Sequence, residues 1–181
     1  VRGVICTADA VVDGFTYRNC KLYSRLGTPS YAAARFSAGT VRKVKIELIQ
    51  HINRAGVMLI DGSTVAEDCE IVGPWNGVEA ADAPSYGIQM DGRASATRVS
   101  VHGITFKNYN GVGDSANHFA GIRLQSPFAL LRDSLVYGNT NATKVGTLES
   151  IATTGGIEVR AGIVENCTST RNYSAGHGGG M

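Results

Sequence analysis

Apolar and polar residues alternate along this chain in short bursts, and the bursts recur. From Gly156, Ile157 and Val159 alternate with Glu158 and Arg160. Ile163 and Val164 follow, then a polar residue beside a small one (Asn166, Cys167), and five residues on comes Asn172. Alternation of period two marks a strand with one buried face. The same plan starts again at Gly121, leading to Asp133-Ser134 and Asn139. It starts at Gly87, leading to His102-Gly103 and Asn108, and at Gly56, leading to Asp68-Cys69 and Asn76. At Gly3 it leads to Asp13-Gly14 and Asn19. A degenerate copy runs from Ala34 to Asn53, where Val44, Ile46 and Leu48 alternate with Lys45 and Glu47. From Gly56 onward the openings lie 31, 34 and 35 residues apart, and Val12–Asn19 matches Val101–Asn108 in residue type at each position.

Units this short cannot each bury an apolar face; stacked, they form one continuous core. The pattern predicts parallel strands on the walls of a coil, with tight turns between them. The Asn that recurs at one point of the unit predicts an internal ladder, each side chain bonding the backbone of a turn and its neighbour in the next coil. Polar, Gly- and Asn-rich excursions follow that Asn in each unit. No segment reads as a long amphipathic helix.

Composition narrows the functional classes. The chain has 181 residues, enough for one sizeable domain over 1–181, and both ends fall inside a repeat, so a fragment of a longer chain is expected. The net charge is +2, from 17 basic and 15 acidic residues without a Lys/Arg cluster, so nucleic acid is not an expected partner. No apolar run approaches the roughly 20 residues of a membrane helix, so membrane insertion is not expected. The four Cys lack metal-ligand spacing and are expected as small buried residues; no metal and no cofactor are expected.

The Gly-Ile-x-Val-like openings at Gly87, Gly121 and Gly156, the polar-plus-small pairs and the Asn column resemble the right-handed parallel β-helix, the pectate-lyase-like superfold. The resemblance spans nearly the whole chain. It implies an all-β, single-stranded right-handed parallel β-helix, a solenoid of about six coils with loop excursions. It also implies carbohydrate substrates, worked on by lyases, hydrolases, epimerases or phage tailspikes. Tailspikes of this fold are commonly homotrimers on a virion surface, so an extracellular or virion location is expected.

With the residue after each Gly placed inward, the inward columns are Val57, Ile88, Ile122, Ile157 and Leu59, Met90, Leu124, Val159, all apolar. The outward columns are then Met58, Gln89, Arg123, Glu158 and Ile60, Asp91, Gln125, Arg160. Met58 and Ile60 make an apolar patch suited to an interface or a capped groove. Gln89, Asp91, Arg123, Gln125, Glu158 and Arg160 form a flat polar patch, walled by excursions carrying Trp75, Tyr86, Asp114 and His118. Planar amides, guanidinium groups and carboxylates beside aromatic rings suit the hydroxyls and apolar ring faces of a polysaccharide. The opposing reading is a solvated sheet face whose charges pair across strands.

For chemistry, Asp91 and Glu158 are the candidate acid/base pair. They lie two strands apart, about 10 Å, which suits inversion better than retention. A lyase needs a base and a cation, for which His118 and Arg123 are candidates. Gln89, Gln125, Arg160, Trp75, Tyr86 and Asp114 are candidate substrate-binding residues. Polygalacturonases, to which the fold is similar, carry several motifs of which only Gly176-His177-Gly178 is present here. Whether the chain is a glycoside hydrolase, a polysaccharide lyase or a non-catalytic adhesin or structural spike is left open by these residues.

Overall fold

Single bent residues, placed between strands of three, set the shape of the chain. This computed structural model describes residues 4–19, 21–23, 32–47, 50–52, 56–73, 86–106, 121–141, 154–174 and 180. The first coil comprises β1 (Val4–Cys6), β2 (Val11–Asp13), β3 (Thr16–Arg18) and β4 (Lys21–Tyr23), and the second β5 (Ala32–Phe36), β6 (Thr40–Arg42), β7 (Lys45–Glu47) and β8 (Gln50–Ile52). The third holds β9 (Gly56–Ile60), β10 (Val65–Glu67) and β11 (Glu70–Val72). The fourth holds β12 (Ile88–Met90), β13 (Ser95–Thr97), β14 (Ser100–His102) and β15 (Thr105–Phe106). The fifth has β16 (Ile122–Leu124), β17 (Leu130–Arg132), β18 (Leu135–Tyr137) and β19 (Thr140–Asn141). The sixth has β20 (Ile157–Val159), β21 (Ile163–Glu165), β22 (Thr168–Thr170) and β23 (Tyr173–Ser174).

Corresponding strands pair in parallel into three six-stranded sheets. The first is β1-β5-β9-β12-β16-β20, the second β2-β6-β10-β13-β17-β21 and the third β3-β7-β11-β14-β18-β22. Six coils of parallel strands, each strand bonded to its counterpart one coil on, make a single-stranded parallel β-helix. The core is the column inside the three walls, from Ala34 and Phe36 through Met58, Ile88, Met90 and Ile122 to Leu124 and Ile157.

A five-residue period generates the corner between the second and third sheets. Three strand residues are followed by one at positive φ, one that points inward, and the next strand. The bend residues are Gly14, Lys43, Asp68, Arg98, Asp133 and Asn166, with φ from 48 to 66°. Non-glycine residues pay about 1–2 kcal/mol for this left-handed conformation, least for Asp and Asn. The backbone N–H of each bend in the first five coils reaches a carbonyl of the next coil, as from Lys43 to Glu67 at 3.0 Å, Asp68 to Thr97 at 3.1 Å and Arg98 to Arg132 at 3.2 Å. The residue after the bend is buried at Val44, Cys69, Val99 and Ser134. The polar-plus-small pairs in the sequence therefore have a physical meaning: the polar residue bends and the small one fills the corner.

Three sequence expectations change in this frame. The counterpart of Asp133-Ser134 in the fourth coil is Arg98-Val99, not His102-Gly103, because Ser95–Thr97 pairs with Leu130–Arg132. The match of Val12–Asn19 with Val101–Asn108 is one strand out of phase, since Val12 lies in the second sheet and Val101 in the third. The five-residue period makes successive strands of one coil alike, so the similarity is real but its register differs. Among the described residues the Asn ladder has two rungs: Asn139 and Asn172 stack, while Asn19 occupies a bend at φ 55° and Asn53, Asn76 and Asn108 lie outside the described residues.

The glycine that opens the unit is required by close approach. The amide of Ile88 bonds the carbonyl of Gly121 at 3.0 Å, Ile122 bonds Gly156 at 3.0 Å and Ile157 bonds Gly180 at 3.1 Å. A Cβ on Gly121 would overlap the Gly156 carbonyl oxygen.

Candidate functional site

The first sheet carries two outward rows. One runs Ile5, Arg35, Leu59, Gln89, Arg123, Glu158 by strand pairing. The other follows each strand's end: Ser37, Asp61, Asp91, Gln125 and Arg160. Each of these donates its backbone N–H to the last strand residue one coil back, at 2.9 to 3.0 Å. The expected outward neighbours Gln89, Arg123 and Glu158 are thus brought together, as are Asp91, Gln125 and Arg160.

The third coil differs. Met58 pairs with Ile88 and Ile60 with Met90, so both point inward and are fully buried, while Leu59 lies outward. The expected apolar patch of Met58 and Ile60 does not exist. Four consecutive apolar residues, Val57 to Ile60, satisfy either register, and only pairing with the neighbouring coils selects one.

Side chains in the two rows are tied together. Arg123 places Nε and Nη2 each 2.7 Å from Oε2 of Glu158, and Arg160 Nε donates to Oε1 of Glu158 at 2.8 Å. Gln89 Nε2 donates to Gln125 Oε1 at 3.2 Å, and Arg35 Nη2 donates to Asp61 at 3.0 Å. Asp91 Oδ1 accepts the Gly92 N–H at 2.8 Å.

Burial divides this face. Arg123 is 1 % exposed, and Leu59 and Tyr86 are buried too, although they lie outside the core column. Burial pulls the Arg123 guanidinium below its ordinary value and Glu158 opposes that; the group keeps its proton in either case. Burial pushes the Tyr86 phenol up to about 12, with Arg123 and Arg35 acting against the shift. Arg123 is therefore not the open cation expected of a flat groove. Gln89, Asp91 and Gln125 are half-buried and Arg160 is exposed, so the reachable part of the site is its edge toward the second sheet.

For acid/base work the geometry is restrictive. Asp91 and Glu158 lie two coils and one row apart, about 12 Å by strand spacing and rise. Hydrolytic pairs need about 5–9.5 Å. Both oxygens of Glu158 are already taken by guanidinium groups. Trp75, Asp114, His118 and His177 lie outside the described residues. Among the described residues no group of three or more His, Cys, Asp or Glu side chains is placed to hold a metal.

The third sheet carries a second polar chain that sequence reading did not anticipate. Arg18 bonds Glu47, Lys45 bridges Glu47 at 3.3 Å and Glu70 at 3.1 Å, and His102 Nε2 lies 3.0 Å from Glu70. The hydrogen bond from His102 holds the Glu70 carboxyl below its ordinary range, and Arg18 does the same for Glu47. Tyr137 stacks on His102 with ring centres 4.6 Å apart. The signal was in the sequence as opposite charges at one position of adjacent units, Lys45 and Glu70, but reading it requires the register.

The fold and its polar rows define a parallel β-helix with one tied and partly covered sheet face. Comparison with protein-family models, with curated proteins and with solved structures finds no match.

Proposed function

We propose that this is a carbohydrate-binding β-helix of the pectate-lyase-like kind, taking a polysaccharide along the edge of the first sheet where Asp91, Gln125 and Arg160 line up. The observation that carries the reading is that row: a carboxylate, an amide and a guanidinium at successive coils, about 4.8 Å apart and within reach of solvent. Such planar groups bond the hydroxyls of a sugar chain in repeating register. Gln89, Arg123 and Glu158 lie behind them and hold Gln125 and Arg160 in place. Extracellular or virion-surface action belongs to this reading. Cleavage by Asp91 and Glu158 as a pair is disfavoured by their separation, so a hydrolase or lyase activity would draw on Asp114 or His118.

The test is binding to a broad panel of acidic and neutral polysaccharides, with reducing-end release and absorbance at about 235 nm followed in parallel. Retention on a glycan, weakened by Gln125→Ala and Arg160→Ala, supports the reading. A folded protein that binds nothing on the panel overturns it.

A second reading, a non-catalytic spike that associates as a homotrimer, is favoured by the second sheet. Its outward row of Val11, Thr40, Val65, Ser95, Leu130 and Ile163 exposes Val11 at 66 % and Ile163 at 52 %. Light scattering that gives a monomer at all concentrations removes it.

A further inference from the structure

The second sheet carries a column of charges beside its apolar row. The middle residues of its strands, Val41, Ala66, Ala96 and Leu131, are buried, so the residues on either side of them face outward. One outward column is the row from Val11 to Ile163. The other is Asp13, Arg42, Glu67, Thr97, Arg132 and Glu165. From the first coil to the sixth its signs run minus, plus, minus, neutral, plus, minus. Arg42 Nη2 bonds Asp13 at 3.0 Å and Arg132 Nε bonds Glu165 at 2.5 Å, yet all four side chains stay exposed. Glu67 makes no hydrogen bond or ion pair among the described residues.

This order of signs discriminates between ways of packing the face on a second copy. Two flat faces related by a two-fold axis along the strands set each column on itself with the coil order reversed. When all six coils overlap, Asp13 meets the partner's Glu165 and Arg42 meets the partner's Arg132, like against like, which is unfavourable. With the axis at the third coil, Glu67 meets its own copy. With the axis at the fourth coil, coils two to six overlap. Arg42 then meets the partner's Glu165 and Glu67 meets the partner's Arg132. By symmetry each pair occurs twice, so four pairs of opposite sign form, with uncharged Thr97 on the axis.

The apolar column agrees with that register. Val65 meets the partner's Leu130, Thr40 meets the partner's Ile163, and the small Ser95 lies on the axis. Arg93 and Arg98 flank the axis in the fourth coil, and both are drawn aside. Arg98 Nε holds Asp68 at 2.6 Å around the corner, and the Arg93 guanidinium lies 5.1 Å from the centre of the Phe128 ring. Five coils at about 4.8 Å make a face roughly 24 Å long. With a width of roughly 20 Å, the two copies bury on the order of 1,000 Å², the lower end for a specific interface.

We propose that the outward face of the second sheet binds a second copy of this chain, antiparallel, about a two-fold axis at the fourth coil. The pairing does not depend on the polysaccharide reading, whose row lies on the first sheet. It differs from the three-fold spike in setting coil three of one copy against coil five of the other.

The test is sedimentation velocity at protein concentrations up to about 0.5 mM, enough to populate a dimer of micromolar Kd. Wild type is expected to show a monomer–dimer equilibrium that added salt shifts toward the monomer. Glu67→Arg sets a like charge against the partner's Arg132, and Arg132→Glu does so against the partner's Glu67. Each alone is expected to weaken dimerisation by about tenfold or more. Mixed in equal amounts, the two variants are expected to form a heterodimer, because the changed residues then meet groups of opposite sign. Both positions lie on the surface, so both variants are expected to keep the wild-type melting temperature. A wild type that stays monomeric throughout, or that forms a trimer, overturns the pairing. A dimer that both variants retain at wild-type strength, or that mixing them does not restore, overturns the antiparallel register.

Discussion

Arg123 and Glu158 face each other across adjacent coils on the outward side of the first sheet, two guanidinium nitrogens each 2.7 Å from one carboxylate oxygen, with Arg123 1 % exposed. An ion pair on an outward row would ordinarily be solvated and contribute little. Burial reverses this for Arg123: removing Glu158 takes the carboxylate from a guanidinium held away from water.

Glu158→Ala alone is therefore expected to destabilise the fold by about 3–5 kcal/mol, and Arg123→Ala by less, since Glu158 keeps the Arg160 guanidinium at 2.8 Å. The double replacement Arg123→Met with Glu158→Gln is expected to recover most of that loss, because the buried guanidinium is removed together with its carboxylate. Urea unfolding of the three variants measures both effects. Single-variant losses under about 1 kcal/mol would show that the pair behaves as a surface contact.

Asn139 makes the second prediction. It is fully buried; its Oδ1 accepts the Ile104 N–H at 3.0 Å, and its Nδ2 donates to the Val101 carbonyl at 3.0 Å and to Asn172 Oδ1 at 3.1 Å. Asn139→Ala orphans a buried donor and a buried acceptor, at about 1–3 kcal/mol each before relaxation. A loss of roughly 2–4 kcal/mol is expected, with a smaller one for Asn172→Ala, whose residue is only half-buried. Equal losses for the two would contradict the ladder as described.

Tyr86 supplies a dependence on pH. Its phenol titrates near 10.0 in the unfolded chain and at about 12 in the folded one, because burial disfavours the phenolate. The folded value is the higher, so the contribution is complete below pH 10 and is lost as pH rises toward 12. Its size is roughly 3 kcal/mol. Stability curves of wild type and Tyr86→Phe are expected to diverge across that window, wild type falling faster. Parallel curves would mean that the ring is solvated.

The repeat, the parallel β-helix and most of its register were legible in the sequence because alternation is a local property. Ile88/Met90 and Ile122/Leu124 stand inward where the pattern puts them, and Gln89, Arg123 and Glu158 share a row. Where alternation lapsed, over Val57 to Ile60, local pattern offered two registers and the wrong one looked natural. The Asn column also misled, since Asn serves equally in a left-handed bend, as at Asn19, and in a buried ladder, as at Asn139.

The site was legible in its residue types and not in its accessibility. Spacing between coils assembled Asp91, Gln125 and Arg160, but that Arg123 is buried and Phe128 exposed is a matter of packing that local pattern does not encode. The chain's own order of apolar, polar and bend-forming residues determined that it coils and which faces turn inward, because strand alternation and left-handed bends are set by neighbouring residues. The tertiary structure alone decided which outward residues meet water and which charges meet each other, because burial and pairing across coils are sums over groups that the sequence keeps about 30 residues apart.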